Sequence, residues 1–243
     1  MATSLLLDKT VRELALENVE ATRVFERFSI DYCCGGGKSL EDACKAVNID
    51  AATVLEALDE ARREAEATEV TRDWRNEPLG DLIDYICTTH HKYTREECAR
   101  LNALLDKVCS AHGDRHPELH HIRAVFRGLA QELTVHMMKE EMVLFPFVQR
   151  MEESVIQHEP VLPAPFGTVQ NPVRMMEEEH DSAGNALRAM RKASEDYQAP
   201  PDACVSYRTL YHVLAVFEED LHQHIHLENN ILFPRALKME SSN

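Results

Sequence analysis

The sequence predicts an all-α protein, an antiparallel four-helix bundle preceded by a small helical domain. Apolar residues recur with the helical period along most of the 243 residues, and no run alternates with the period of a strand. Four long helical patterns joined by polar or proline-rich segments are typical of such a bundle. The patterns cover residues 79–111, 117–151, 172–197 and 202–237.

Two domains are expected, a small one over residues 1–66 and the bundle over residues 79–240. A charged stretch, residues 64–78, links them. Within the small domain, Thr10 is placed to cap one short helix, and Ser39 with Asp42 resembles a capping box for another.

Composition excludes several classes of function. The formal charge is -16 and lysines and arginines do not cluster, so a nucleic-acid partner is not expected. The N-terminal residues lack the pattern of a signal peptide, and no apolar run is long enough to span a membrane, so no membrane partner is expected. Seven scattered cysteines form no disulfide framework and favour the reducing cytoplasm.

Two of the long helical patterns contain the same string, H-x3-E-x2-[VI]-L-F-P. It begins at His136 and again at His224, 88 residues later (224 − 136). In both helices the His and the Glu, Glu140 and Glu228, fall on the apolar stripe. The stripe of the second bundle helix runs through Ile122, Phe126, Leu129, Leu133, His136, Glu140, Val143 and Phe147.

A buried carboxylate without a partner costs several kcal/mol, and two facing carboxylates also repel each other. A cation between Glu140 and Glu228 removes both penalties. His and Glu spaced i, i+4 share one helix face, so each pair can reach one metal centre. A buried His–Glu hydrogen bond explains one such pair, but two matched copies favour metal ligands.

The other two bundle helices add histidines to this set. His180 lies on the apolar stripe of the third helix. In the first helix, apolar residues upstream place His90 on the stripe, whereas those downstream place His91 there. We choose His91, with His90 as the alternative. His112 lies 21 residues beyond His91, roughly 31 Å along a straight helix, and is excluded as a ligand. The remaining histidines are expected at the surface: 116, 120, 121, 158, 212, 222 and 226.

Four imidazoles and two carboxylates suit iron, manganese or zinc, and the open coordination positions favour a reactive di-iron site. Bridging glutamates leave two histidines for each ion. A rival pattern, Glu-x-x-His, occurs at Glu177–His180 and Glu219–His222, but His222 lies off the stripe.

The chain resembles the RIC (repair of iron centres) family, iron–sulfur cluster repair proteins with a hemerythrin-like domain. The resemblance rests on Asp31-Tyr-Cys-Cys-Gly-Gly, His136-Met-Met-Lys-Glu-Glu, Glu179-His-Asp and Leu227-Glu-Asn-Asn-Ile-Leu-Phe-Pro-Arg. It implies an N-terminal domain with a Cys-Cys pair, followed by a bundle with a non-haem centre of two iron ions. This centre is expected to be oxo-bridged when oxidised. Carried over by position, the ligands are His91, His136, Glu140, His180, His224 and Glu228.

Cys33 and Cys34 precede three glycines, and we expect an accessible pair that can be oxidised or nitrosylated. A tight turn of small residues is the simpler alternative. We interpret the pair as functional, acting on iron, nitric oxide or electrons.

The leading hypothesis is a cytoplasmic protein that repairs iron–sulfur clusters damaged by nitric oxide or oxidative stress, with damaged iron–sulfur proteins and nitric oxide as its partners. An enzymatic role is not expected, and the enzymatic alternative is a di-iron nitrogen-oxide reductase. A hemerythrin-like oxygen binder is the third hypothesis. The sequence leaves the oligomeric state open, with a homodimer as one option.

Overall fold

A computed structural model describes residues 6–18, 20–67, 73–161 and 163–242, and the described residues are helical apart from turns and loops. They fall into two units. One comprises Met1–Pro78 with Ile225–Pro234, and the other comprises Leu79–His224 with Arg235–Asn243. Within the described residues, no helix is both long enough and apolar enough to cross a membrane.

In the part of the first unit that the structure describes, four α-helices with defined bounds surround an apolar core. They are α1 (Val11–Glu17), α2 (Ala21–Arg27), α3 (Leu40–Ala46) and α4 (Ala51–Ala67). Buried residues from all four form this core, among them Val11, Phe25, Leu40 and Val54. Part of the expected linker therefore continues α4, and residues 68–72 lie outside the described residues.

Two of these helices begin at the residues that the sequence indicated. Thr10 caps α1 with a full capping box, because its hydroxyl accepts from Glu13 N and the Glu13 carboxylate accepts from Thr10 N. Ser39 caps α3 by accepting from Asp42 N at 3.2 Å. Both side chains satisfy amides that a helix start leaves without partners.

The bundle consists of four helices, three of which contain a π-helical turn. The first runs α5 (Leu79–Tyr85), π1 (Ile86–His91) and α6 (Lys92–His112). The second runs α7 (Glu118–Lys139), π2 (Glu140–Leu144) and α8 (Phe145–Ile156). The third is α9 (Gln170–Ala193), and the fourth runs α10 (Val205–Leu227), π3 (Glu228–Leu232) and α11 (Phe233–Ser241). Helix α7 packs against α6 and α9, so the predicted antiparallel four-helix bundle is confirmed.

The π turn in the first helix explains why the apolar residues before it and those after it place different histidines on the buried stripe. A π turn holds one more residue than an α turn, so it shifts the buried stripe by one position. Ile86 before the shift and Leu101 after it are both buried, and so are His90 and His91. The apolar stripe that includes His90 is therefore correct before π1, and the stripe that includes His91 is correct after it.

The same effect makes one predicted core position wrong. Val143 lies within π2 and is 47% exposed, whereas Leu144 is 1% exposed. Pro146 follows the turn, and its missing N–H cannot donate to the carbonyl four residues earlier. Pro234 follows π3 in the same way, so each copy of the repeat combines a π turn with a proline.

Helix α9 ends at Ala193, four residues before the end that the sequence predicted. The three residues from Glu195 to Tyr197 all have φ between 52° and 58°, a left-handed conformation that stops an α-helix. The carboxylate of Glu218 accepts from the hydroxyl of Tyr197 at 2.7 Å and from Arg191 Nε at 3.0 Å, and these contacts fix the turn.

Two glutamates cap the bundle from distant positions in the sequence. The Glu152 carboxylate accepts from Leu79 N at 2.6 Å and Gly80 N at 2.8 Å, at the start of α5. The Glu240 carboxylate accepts from Val169 N at 2.9 Å, next to the start of α9. Because these glutamates are separated by 88 residues (240 − 152), they occupy the same position in the two copies of the repeat.

Replacing Glu152 by alanine should lower the free energy of unfolding by about 1 kcal/mol, because two amides at the start of α5 lose their acceptor. Chemical denaturation of both variants measures the difference. Glu153→Ala, which removes an exposed carboxylate from the next position, is the control. Equal stability of the two variants would show that the long-range cap contributes nothing.

Candidate metal centre

Two pairs of histidines face each other inside the bundle. Nε2 of His91 lies 3.0 Å from Nε2 of His224, and Nε2 of His136 lies 3.0 Å from Nε2 of His180. All four side chains are at most 3% exposed. Two ligand atoms that bind one ion at ~2.1 Å and at a right angle are ~3.0 Å apart. The spacing of both pairs therefore fits metal ligands.

Glu140 lies between the two pairs. Its Oε2 is 3.4 Å from Nε2 of His91 and 3.3 Å from Nε2 of His136, and its side chain is fully buried. Two groups of ligand atoms result among the described residues, each with all atoms within 4.8 Å of one another. The groups are His91, Glu140, His224 and Glu228, and His136, Glu140, His180 and Glu228.

The structure thus brings together all six residues that the sequence predicted as ligands. Each group contains two imidazole nitrogens and two carboxylates, and the two glutamates belong to both groups. This nitrogen and oxygen donor set without a thiolate suits iron. The arrangement can hold a metal in either group.

Three of these six residues occur in π turns. His91 is the last residue of π1, Glu140 is the first of π2 and Glu228 is the first of π3. Single π turns inside α-helices occur frequently at functional sites, where the extra residue changes the direction of the side chains. The π turns therefore position half of the candidate ligands.

An outer carboxylate orients the ring of His91. Nδ1 of His91 lies 2.7 Å from Oε1 of Glu141, which also accepts from Arg95 at 2.7 Å. Partial burial opposes ionisation of Glu141, but the hydrogen bonds from Arg95 and His91 outweigh it and lower the pKa of the carboxyl. An ionised Glu141 accepts the Nδ1 proton, so the Nε2 lone pair of His91 is directed towards Glu140 and His224.

Glu179 does the same for His136. Its Oε2 lies 2.8 Å from Nδ1 of His136, and its other oxygen accepts from Lys139. Burial again opposes ionisation, while the hydrogen bonds from Lys139 and His136 lower the pKa of Glu179. The motifs that contain Glu179 and Glu141 do not indicate this role, because the partners are 43 and 50 residues apart in sequence.

The alternative ligand in the first helix, His90, has a different environment. Its Nδ1 lies 3.0 Å from Oδ1 of Asp220, and its ring stacks on His224 at a centroid distance of 5.8 Å. Among the described residues, neither of the two groups of ligand atoms includes His90. A third, smaller group joins the half-buried Cys87 to His91 and Glu141, and sequence analysis missed it.

Three of the remaining histidines differ from the expected surface position. His116 and His222 are half-buried. His226 is 5% exposed, because it contacts Tyr32 of the same unit, with ring centroids 5.5 Å apart. Burial and the nearby charge of Arg12 lower the pKa of His226 to about 4. His112 lies outside both groups, on the unbroken helix α6, as its sequence spacing predicted.

The rival Glu-x-x-His pattern forms no site of its own. Glu177 and Glu219 are both exposed, and among the described residues neither belongs to a group of converging ligand atoms. Of the two histidines in this pattern, His180 faces the core and His222 is only half-buried. The H-x3-E pairs are therefore the ones that converge.

The Cys-Cys pair lies in a loop built around one carboxylate. Oδ1 of Asp31 accepts from the backbone amides of Cys33, Cys34 and Gly35 at 2.9–3.2 Å. A Cβ at Gly36 would lie 2.5 Å from the carbonyl oxygen of Tyr32, so this turn requires glycine there.

The expectation of two accessible thiols is wrong for Cys33. Its side chain is 2% exposed, whereas Cys34 is half-buried, and their sulfurs are 3.8 Å apart. The hydrogen bond with Cys34, together with burial, raises the pKa of Cys33 well above its usual value. The loop folds Cys33 inward, so only Cys34 is presented to a reagent as a partly exposed thiol.

Replacing Glu179 by glutamine should weaken iron binding about 10- to 100-fold, because the amide does not hold the Nδ1 proton of His136 as a carboxylate does. Competition with a coloured iron chelator measures the affinity. Glu178→Gln, on the exposed side of the same helix, is the matched control. An affinity equal to that of the control would show that the outer carboxylate does not act on the site.

Comparison with known proteins agrees with this geometry. Residues 82–236 match the hemerythrin HHE cation binding domain, and residues 7–62 match ScdA_N, a domain of unknown function. The iron-sulfur cluster repair protein YtfE of Musicola paradisiaca is 36% identical over 235 residues, 96% of this chain and 98% of its own length. The proteins of that name from Yersinia pseudotuberculosis and Citrobacter koseri are 34% and 33% identical, each over 96% of this chain and 98% of their own length. The chain therefore belongs to the family of iron–sulfur cluster repair proteins with a hemerythrin HHE domain.

Proposed function

We propose that this chain is a cytoplasmic di-iron protein that repairs iron–sulfur clusters damaged by nitric oxide or oxidants, and that its bundle supplies the iron. The names of its relatives support cluster repair. The hemerythrin HHE domain supports iron as the metal. Damaged iron–sulfur proteins are then its partners.

The observation that carries the proposal is the pair of ligand groups that share both glutamates. One ion bound by His91 and His224, and a second bound by His136 and His180, would use every buried donor of the two groups. Bound iron supplies a Lewis acid and a one-electron redox couple. The protein contributes the shape and the charge of the site.

The charges at the site favour a cation and resist its loss. Glu140 and Glu228 are both fully buried, and two buried carboxylates repel each other unless protons or a cation compensate them. Release of iron therefore requires protons to enter the site, or another cation. Glu141 and Glu179 hold protons on the outer nitrogens of His91 and His136.

The Cys-Cys loop is the part of the first unit that we assign to transfer. Cys34 offers a partly exposed thiol for iron, nitric oxide or electrons. The carbonyl of Tyr32, next to Cys33, accepts from Nδ2 of Asn230 at 3.1 Å. Asn230 lies in π3, two residues after Glu228, so this loop is hydrogen-bonded to the turn that contains a candidate ligand.

Freshly purified protein should contain about two irons per chain, because the donors form two groups. Metal analysis with Mössbauer spectroscopy measures the stoichiometry and the state of the iron. Glu140→Ala/Glu228→Ala should lose nearly all of the iron, whereas Glu177→Ala/Glu219→Ala, which removes two exposed carboxylates, should retain it. One iron per chain, or iron retained by the first variant, would refute the di-iron assignment.

Replacing Cys33 and Cys34 by serine should leave the iron content and the absorption spectrum unchanged, because neither sulfur belongs to the groups of converging ligand atoms. Repair of a nitric-oxide-treated iron–sulfur enzyme should fall at least tenfold. Cys34→Ser alone should account for most of this loss, since Cys33 is buried.

Counting the repaired clusters per protein separates the iron donor from the alternative enzyme. A donor stops after transferring its own iron, whereas a nitrogen-oxide reductase turns over many times. Full repair by the double cysteine variant would show that the two cysteines serve only as part of a structural turn. Loss of iron from that variant would mean that the loop helps to build the metal centre.

A further inference from the structure

A second chemically distinctive pair lies in the bundle outside the metal centre. Nε2 of His112 is 3.1 Å from Sγ of Cys204. Cys204 is exposed and unbridged, whereas His112 is 8% exposed. His112 lies 21 residues after His91 on the first bundle helix, roughly 31 Å along its axis. Iron ligation therefore does not account for this pair.

The buried side of His112 indicates which nitrogen carries the proton. Nδ1 of His112 is buried and has no hydrogen-bond partner among the described residues. A buried N–H without an acceptor is rarer than a buried acceptor without a donor. The proton therefore belongs on Nε2, from which it is donated to the sulfur of Cys204. The imidazole N–H then faces the sulfur, where it can stabilise negative charge that develops there during a reaction.

The position of Cys204 at the start of a helix acts in the same direction. Cys204 immediately precedes α10, and its carbonyl accepts from the amides of Tyr207 and Arg208 at 3.1 Å. The N-terminus of a helix of 23 residues carries a partial positive charge. Cys204 therefore combines exposure, the N-terminus of a helix and an imidazole N–H donor at its sulfur.

The charged groups around the pair favour a negatively charged reagent. Arg208 donates to the carbonyls of Ala203 and Pro201, so its guanidinium lies against the segment that leads to Cys204. The acidic group on this segment, Asp202, is paired with Arg115 at 3.5 Å and with His116 at 3.1 Å. Arg115 offsets the charge of this carboxylate, whereas the guanidinium of Arg208 donates to uncharged carbonyls.

We propose that Cys204 is a site of mixed-disulfide formation with small, negatively charged disulfides. The Cys204 thiolate attacks one sulfur of the small disulfide, a new S–S bond forms and the original S–S bond breaks. The other half leaves as a thiolate, which takes up the proton that the Cys204 thiol released. The exchange needs no further oxidant, because the small disulfide is the oxidised partner. A small thiol reverses it.

Treating the iron-loaded protein with oxidised glutathione, followed by peptide mapping, tests the proposal. Cys204 should acquire the adduct at least about tenfold faster than Cys87, a half-buried cysteine without a helix start or a hydrogen-bonded histidine of its own, at equal reagent concentration. Cystamine, a positively charged disulfide, should react with Cys204 more slowly than oxidised glutathione. Cys204→Ser should remove the adduct.

His112→Gln should slow the reaction at Cys204 about tenfold, because the amide does not place the same N–H donor at the sulfur during the exchange. His212→Gln, which replaces an exposed histidine on the helix that follows Cys204, should leave the rate unchanged. In the unsubstituted protein, adduct formation at Cys204 that is no faster than at Cys87 would overturn the proposal. This comparison needs no variant. Equal rates in the two histidine variants, with matching thermal unfolding curves, overturn the role of His112.

Discussion

The structure depends on how the negative charges of two carboxylates are compensated. Both carboxylates are fully buried in the helices of the repeat. Glu140 and Glu228 cannot both stay ionised in an apolar core without a positive charge beside them. Arg95 and Lys139 are engaged by the outer carboxylates of Glu141 and Glu179. A cation bound between the two inner glutamates would supply this positive charge.

The internal repeat provides this arrangement twice, and it includes more than the ligands. In each copy the ligand histidine is followed by a glutamate in a π turn, then by a proline, and finally by a glutamate that caps a neighbouring helix. The capping residues Glu152 and Glu240 keep the 88-residue offset of the ligand residues. Residues that hold the helices together and residues that face the metal are therefore fixed by one pattern.

The sequence alone predicted the four-helix bundle, the six converging residues and the caps at Thr10 and Ser39, because helical period and residue type are local signals. It could not predict the π turns, which leave residue types unchanged but shift the apolar phase, and for this reason Val143 was misplaced. Burial of Cys33 results from the loop around Asp31, and burial of His226 depends on a contact distant in sequence, the ring of Tyr32 against His226. The spacing of apolar residues within one helix does not indicate contacts with distant segments of the chain.

The outer hydrogen bonds hold two of the candidate ligand histidines in place. Each of Glu141 and Glu179 joins a ligand histidine to a cation nearer the surface, so the ring is held from outside the core. Rings held in this way would keep their lone pairs directed inward with or without a bound metal. Under the proposed function, protons would then replace the metal at the buried carboxylates.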